Sequence, residues 1–253
     1  QLTKLPSGLI VVSAEHLPRP PLNDQAHLML MYRAGARYET SEQTGLVGLI
    51  KGIVSTEWEN VRSELSHASG DSESYFGCFF SPDYFCVRIS VPHHLSQPAL
   101  NVFGHFAAFK DWKNLPEISS SVVPRAPPSM QYIPSAYVRR VAYRDSSLSH
   151  SIRSSPHTAR IKYTDALIRH FASTRMVASE AVLCGINVEH EKLCEFGEKH
   201  VPGSRMRAPP APDSRYVGGE WRREVECDSA YVVIGESRRG GGRCAGYRSA
   251  GRA

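Results

Sequence analysis

The sequence has no apolar run near the roughly 20 residues that a membrane-spanning helix requires. Its longest runs, such as Leu28 to Tyr32 and Tyr231 to Ile234, are short, so membrane association is expected only through partners. The six cysteines are Cys78, Cys86, Cys184, Cys194, Cys227 and Cys244, and no two are spaced as C-x-x-C. That excludes a zinc-ribbon or thioredoxin-type motif. A chain of this length does not need disulfides to fold, so the cysteines read as mostly buried free thiols in a reducing compartment. Residues 1 to 15 lack a charged start followed by an apolar stretch, so no secretory signal is read there. There is no G-x-S-x-G, no P-loop and no internal repeat. Neither sign of charge dominates: 30 basic against 25 acidic residues give +5. Much of that excess sits in Arg238, Arg239, Arg243, Arg248 and Arg252, and so mild a balance reads as solvated surface.

What is present is the material of a folded domain. The 253 residues are 41% hydrophobic and 22% charged, enough for one large domain or two small ones with a sizeable core. Pro6 and Gly8 form a turn before a β-branched run, so Leu9 to Ser13 are predicted to be a strand. Pro18, Pro20 and Pro21 break the chain before a second strand, His27 to Tyr32. The spacing of Leu46, Val47, Leu49, Ile50, Ile53 and Val54 predicts a helix over Gly45 to Ser55, with a further helical turn over Glu59 to Ser69. Tyr75 to Phe80 and Tyr84 to Val91 flank Ser81-Pro82-Asp83 and form the best hairpin signal in the chain. Leu95 to Trp112 read as an amphipathic helix with Leu100, Phe103, Phe106 and Phe109 near one face.

Ser119 to Ser135 are expected to be irregular, because Pro124, Pro127, Pro128 and Pro134 do not suit a regular helix. Beyond them, Tyr163 to Phe171 read as a helix, Met176 to Cys184 as a strand and Glu189 to Lys199 as a helix. Pro202 to Pro212 read as a linker, and Tyr231 to Gly235 as a last strand. Strand pairs interleaved with helices, with at least one antiparallel hairpin, point to an α+β fold: a mixed or antiparallel sheet packed with helices over residues 1–237. Residues 238–253 form an Arg/Gly-rich tail whose composition cannot bury a core.

Several segments resemble the pitrilysin and mitochondrial-processing-peptidase family. Leu5-Pro6-Ser7-Gly8-Leu9 is similar to its opening strand. Ala34-Gly35-Ala36-Arg37-Tyr38-Glu39 is similar to its A-G-S-R-Y-E segment, with Gly45 following at the expected distance. Tyr143-Arg144-Asp145 with Ser147-Leu148 is similar to the stretch around its third helix. Phe171-Ala172-Ser173-Thr174-Arg175-Met176 resembles its H-F-T-S-A-R-M segment. Tyr216-Val217-Gly218-Gly219-Glu220 resembles the Y-x-G-G-E segment common in the core 2 branch, the non-catalytic core subunits of mitochondrial ubiquinol–cytochrome c reductase. The likeness runs from about residue 3 to about residue 237, and its order and spacing carry it.

The family's peptidases hold zinc on a helical H-x-x-E-H, whose two histidines share one face and whose glutamate is the general base. Counted from Gly45, the resemblance puts those positions on Gly48, Lys51 and Gly52. Glycine offers no ligand and the lysine cation repels a metal. The third ligand is a glutamate on a later helix, and here no Asp or Glu lies between Ile118 and Arg144. The resemblance therefore implies no catalytic, cofactor-binding or metal residues, no cofactor, and a degenerate metallopeptidase homologue rather than an enzyme.

The remaining signals are weaker. His93-His94 are adjacent, so their side chains diverge, and they read as surface histidines. His150 and His157 have no partner at ligand spacing. Cys184 and Cys194 could meet in space, although buried structural thiols fit them better. Glu189-His190-Glu191 reads as a helix start, where acids are favoured, before it reads as an acid–base cluster. Arg238-Arg239-Gly240-Gly241-Gly242-Arg243 resembles an RNA-binding RGG segment, but a single cluster with only Tyr247 nearby fits a divergent chain end better, and no nucleic-acid partner is expected. The resemblance implies a structural subunit of the cytochrome bc1 complex on the matrix side of the mitochondrial inner membrane, partnered by a core 1-type subunit. The rival is a non-catalytic α-type subunit of the processing peptidase, which binds presequences. That subunit's G-G-G-G-S-F-S loop is matched poorly by Gly240 to Gly242. A third reading, an active metallopeptidase, needs ligands this sequence does not have.

Overall fold

The computed structural model describes residues 1–14, 25–69, 74–107, 134–144, 146–149, 163–201, 203, 208–210, 212–222, 230–235 and 247–250. Its strands are β1 (Leu2–Lys4), β2 (Ile10–Ala14), β3 (Gln25–Tyr32), β4 (Tyr75–Phe80), β5 (Phe85–Pro92), β6 (Ala181–Ile186), β7 (Ala230–Val233) and β8 (Tyr247–Ala250). Its helices are α1 (Leu46–Ser69), α2 (Ser96–Ala107), α3 (Pro134–Ala142), α4 (Asp165–Arg175) and α5 (His190–His200).

Six strands form one sheet in the order β1-β2-β6-β3-β5-β4. β2 and β6 run parallel, and every other pair in it is antiparallel. This is the mixed α+β sheet that the interleaved strands and helices predict. The hairpin β4–β5 pairs from Tyr75 with Ser90 to Phe80 with Phe85, around the Ser81-Pro82-Asp83 turn. β7 and β8 form a separate antiparallel ribbon, so the Arg/Gly-rich tail contributes a strand that its composition did not suggest.

Side chains alternate along each strand, and one set is buried under helices. Leu28, Leu30 and Tyr32 of β3, Phe85, Val87 and Ile89 of β5, and Leu183 of β6 are almost wholly excluded from water. α1, α2 and α5 cover this face. α5 sits so close to β6 that a Cβ on Gly185 would lie 2.4 Å from Leu193 Cδ1. Phe103 of α2 meets Phe196 of α5 at 5.8 Å between ring centroids. The Tyr32 hydroxyl donates to the Ala107 carbonyl at 2.9 Å, so the one polar atom of that buried ring is satisfied.

α1 is one continuous helix and not the two pieces its composition suggests. The buried stripe Leu46, Ile50, Ile53, Val54, Trp58 and Val61 carries it past Ser55. Trp58 stacks on Phe76 of β4 at 4.5 Å and reaches Phe106 of α2. Packing of this kind offsets the cost of Gly48 and Gly52, about 1 kcal/mol each in a helix interior. Pro134 opens α3 instead of extending the irregular stretch, because a proline's missing N–H costs nothing at a first helical position. The predicted strand from Met176 begins only at Ala181, since Ala178–Glu180 form a 3-10 turn. α2 is described to Ala107; its predicted continuation to Trp112, most of Ser119 to Ser135 and part of the linker 202–212 lie outside the described residues.

Candidate functional site

The positions that the resemblance marks for chemistry lie in the first two turns of α1, and the Ala34–Glu39 segment sets where that helix begins. Gly35 N–H donates to the Asp83 carbonyl, Ala36 N–H to that of Ser81 and Arg37 N–H to that of Pro82, at 2.9–3.2 Å. A Cβ on Gly35 would fall 2.3 Å from the Pro82 carbonyl oxygen. Only glycine lets the segment lie against the hairpin turn. Arg37 Nη1 then pairs with Asp83 Oδ1 at 2.7 Å. The chain next makes a 3-10 turn, Ala36–Tyr38, which buries Tyr38. Arg175, itself buried, lies over the Tyr38 ring at 4.6 Å and donates to the Pro209 carbonyl.

Glu39 follows, with 2% of its surface exposed. Its two carboxylate oxygens accept from Gly45 N–H at 2.8 Å and Val47 N–H at 2.7 Å. It therefore caps α1 from outside the helix, satisfying N–H groups that have no partner within it. Burial pushes its carboxyl up to about 8, against the pull of those two N–H groups. Tyr163 adds a second clasp, its hydroxyl donating to the Thr44 carbonyl at 2.8 Å. Burial, then the nearby Glu39 charge, push that phenol up to about 12.

Beyond this cap, Gly48 and Gly52 lie half-buried and Lys51 exposed. A Cβ at Gly48 would stand 3.7 Å from Phe80 Cζ of β4. The three positions thus share the part of α1 that runs beside the sheet edge. Among the described residues, no three His, Cys, Asp or Glu side chains gather where they could hold a metal ion. Burial pushes the nearby Cys78 thiol up to about 12, with Lys51 pulling the other way, so it stays protonated near neutral pH and is a poor ligand or nucleophile.

Other candidates separate in space. His93 and His94 are exposed on a 3-10 turn. His150 and His157 lie outside the described residues. Cys184 faces away from the helices while Cys194 rides on α5, so the two thiols are on opposite sides of the sheet and do not meet; both are free, as are Cys78 and Cys86. Glu189 and Glu191 are exposed at the start of α5, as a helix start predicts, with Lys192 on Glu189 at 2.7 Å. His190 between them turns inward, its Nε2 2.7 Å from Thr3 Oγ1 and its Nδ1 2.9 Å from Ser13 Oγ. That bonding ties α5 to β1 and β2. Sequence reasoning missed this role, and those of Arg175 and Glu39. The only signal available was the place of Glu39 and Arg175 within the family-like segments.

No protein-family model matches the chain. It is 24% identical over 245 residues to the probable mitochondrial-processing peptidase subunit alpha-1 of Arabidopsis thaliana, covering 92% of this chain and 46% of that protein. Its fold superposes on a chain of complex III2 from Candida albicans with Inz-5 bound (TM-score 0.64, 17% identity), covering 94% of this chain and 56% of the other. It also superposes on a protease from Helicobacter pylori (TM-score 0.60, 16% identity), covering 83% and 52%. The fold is peptidase-like. The chain spans about half the length of these relatives, and its sequence is weakly homologous to a processing-peptidase α subunit.

Proposed function

We propose that this chain is a non-catalytic structural core subunit of mitochondrial complex III, supporting the assembly on the matrix side of the inner membrane. The observation that carries the reading is the set Gly48, Lys51 and Gly52 in the first turns of α1, where the family resemblance puts the peptidases' metal-binding residues. Supporting it, 94% of the chain follows the fold of a chain in a complex III structure. In this reading its work is packing against a core 1-type subunit and its neighbours, without a metal or redox cofactor of its own. Among the described residues no helix is long and apolar enough to cross a membrane, which fits attachment through partners.

The second reading is a presequence-binding α-type subunit of the processing peptidase, and the 24% identity to such a subunit favours it. Native electrophoresis of detergent-solubilised mitochondria separates the two. The core reading expects this chain to migrate with cytochromes b and c1. Migration with a zinc-dependent peptidase would replace it with the second reading. Elemental analysis of the purified chain is expected to find no zinc surviving dialysis against a weak chelator; about one equivalent would sink both readings in favour of a peptidase. The triple variant Gly48→His, Lys51→Glu, Gly52→His is expected to remain inactive on peptides, because a third ligand and its orienting groups would still be missing.

A further inference from the structure

The face of the six-stranded sheet turned away from α1, α2 and α5 gathers nitrogen and sulfur donors in one small area. β3 sends His27, Met29 and Met31 to that face, one behind another. Cys184 of β6 stands opposite Met29, and Cys86 of β5 opposite Met31. His27, Met29, Met31 and Cys184 are each half-buried, so an ion can reach them, whereas Cys86 is closed off at 1% exposure. Residues opposite one another across two strands have their Cβ atoms about 4.5–5.5 Å apart, and diagonal neighbours lie about 7–8 Å apart. The Met29 thioether and the Cys184 thiol can therefore close on one ion through metal–sulfur bonds of roughly 2.3 Å. His27 is the diagonal neighbour of Cys184, and its longer side chain spans the greater distance.

Two further features set this group apart from ordinary strand packing. The first is orientation. His27 Nδ1 lies 2.8 Å from Ser90 Oγ on β5. With the proton on Nδ1, Ser90 accepts it and Nε2 carries the lone pair. A ring held in place through its other nitrogen is the usual state of a metal-ligating histidine. The second is charge. Arg88 shares a row with Met29 and Cys184, but its guanidinium lies over rings of β4, 4.9 Å from the Tyr75 centroid and 5.8 Å from that of Phe79. The cation is thus directed away from the donors. The residues of β3, β5 and β6 on this face include no Asp or Glu, so a hard cation that needs carboxylates finds none there.

We propose that His27, Met29 and Cys184 form a site for copper(I), with the Met31 thioether as a fourth donor. Thiolate and thioether sulfurs select a soft ion, and imidazole also suits copper. Methionine's unbranched, rotatable side chain lets both thioethers turn to the ion. On binding, the Cys184 S–H bond breaks, its proton leaves to water and a copper–sulfur bond forms, with no change in oxidation state. The thiolate charge cancels that of the ion, so a neutral group forms on a largely apolar face. The site lies across the sheet from α1 and its positions 48, 51 and 52. It takes copper as a bound ligand, with no reaction assigned to it, and does not rest on which assembly the chain joins.

Anaerobic titration of the reduced full chain with copper(I), against a chromogenic chelator strong enough to strip single-thiol sites, tests it. One equivalent is expected to stay on the chain, with silver(I) competing for it and zinc(II) not. X-ray absorption should show nitrogen and sulfur together around the copper. Cys184→Ser and the volume-conserving Met29→Leu should each weaken binding at least about tenfold, with the melting curve of the metal-free chain unchanged for Met29→Leu. Ser90→Ala, which removes only the partner of His27, should weaken it about tenfold. Cys78→Ala and Cys194→Ala, whose thiols lie on the helix side, should leave it unaltered. No equivalent held against the chelator, an all-sulfur shell, equal competition by zinc(II), or full affinity in Cys184→Ser, Met29→Leu or Ser90→Ala would overturn the proposal. So would loss of the copper in Cys78→Ala or Cys194→Ala, which would place it on the other side of the sheet.

Discussion

The two faces of the six-stranded sheet are built by the same strands, yet they behave as different materials. In β3, Leu28 and Leu30 are each 1% exposed, while Met29 and Met31, their immediate neighbours, are half-buried on the other side. Chain direction, strand length and backbone pairing are identical for the two sets. The difference lies in what rests on them: α1, α2 and α5 on one side and no described element on the other. β3 reads Leu-Met-Leu-Met-Tyr, apolar on both sides, which is the composition of a strand covered on both faces. A strand that only had to face water on one side would alternate apolar with polar. This second face therefore carries the chemistry of a core, and no described element rests on it.

The contrast can be broken at its strongest point first. Phe103→Ala on α2 empties a fully buried site between the sheet and α5 and is expected to cost about 3–5 kcal/mol, read from the urea midpoint. A loss under about 1 kcal/mol would mean the helix layer is not the core it resembles. The helix-side cap comes next. Glu39 in the folded chain holds its proton up to about 8, against 4.5 in the unfolded chain. The stability from its neutral form is fully present below 4.5 and is lost as pH rises through 8. Unfolding midpoints should fall across that window, by at most about 1.4 kcal/mol per pH unit. Glu39→Gln should flatten the fall; a variant with the same pH dependence would assign it to another group. Gly35→Ala is smaller. Its Cβ meets backbone at the hairpin turn, and a cost of about 2 kcal/mol is expected from the displacement, again by urea titration. Smallest is Met29→Ala on the second face, expected to cost under about 1 kcal/mol, because a half-exposed side chain leaves no closed cavity. A cost like that of Phe103→Ala would show that this face is already covered within the chain.

Much of the fold was legible from local signals. The hairpin from Tyr75 to Pro92 could be read because a Ser-Pro-Asp turn and its flanking strands are neighbours in sequence. The buried stripe of α1 was legible through Val54, but its continuation through Trp58 and Val61 was not, since Glu57, Glu59 and Asn60 dilute the pattern and only Phe76 and Phe106 explain the tryptophan. The start of β6 was misjudged because Val177 and Ala178 are as apolar as the strand after them. At the candidate site, the identities of Gly48, Lys51 and Gly52 were available from counting. The capping of α1 by Glu39 was not, because a carboxylate six residues before the N–H it accepts leaves no periodic trace.

By itself, the sequence determined the α+β class, the hairpin, the approximate helices and strands, and the absence of ligand-type side chains at positions 48, 51 and 52. These follow from spacing and residue chemistry, which act over a few residues. Tertiary structure alone decided that Ile10–Ala14 would pair in parallel with Val182–Ile186. It alone sent Cys184 and Cys194 to opposite sides of the sheet, turned His190 inward between Thr3 and Ser13, and laid Arg88 against the Tyr75 and Phe79 rings. Each of these joins residues far apart along the chain, or depends on which side of a strand a helix comes to rest. That choice is made by the packing of the whole layer, since the side chains of β3 are apolar on both sides and do not make it themselves.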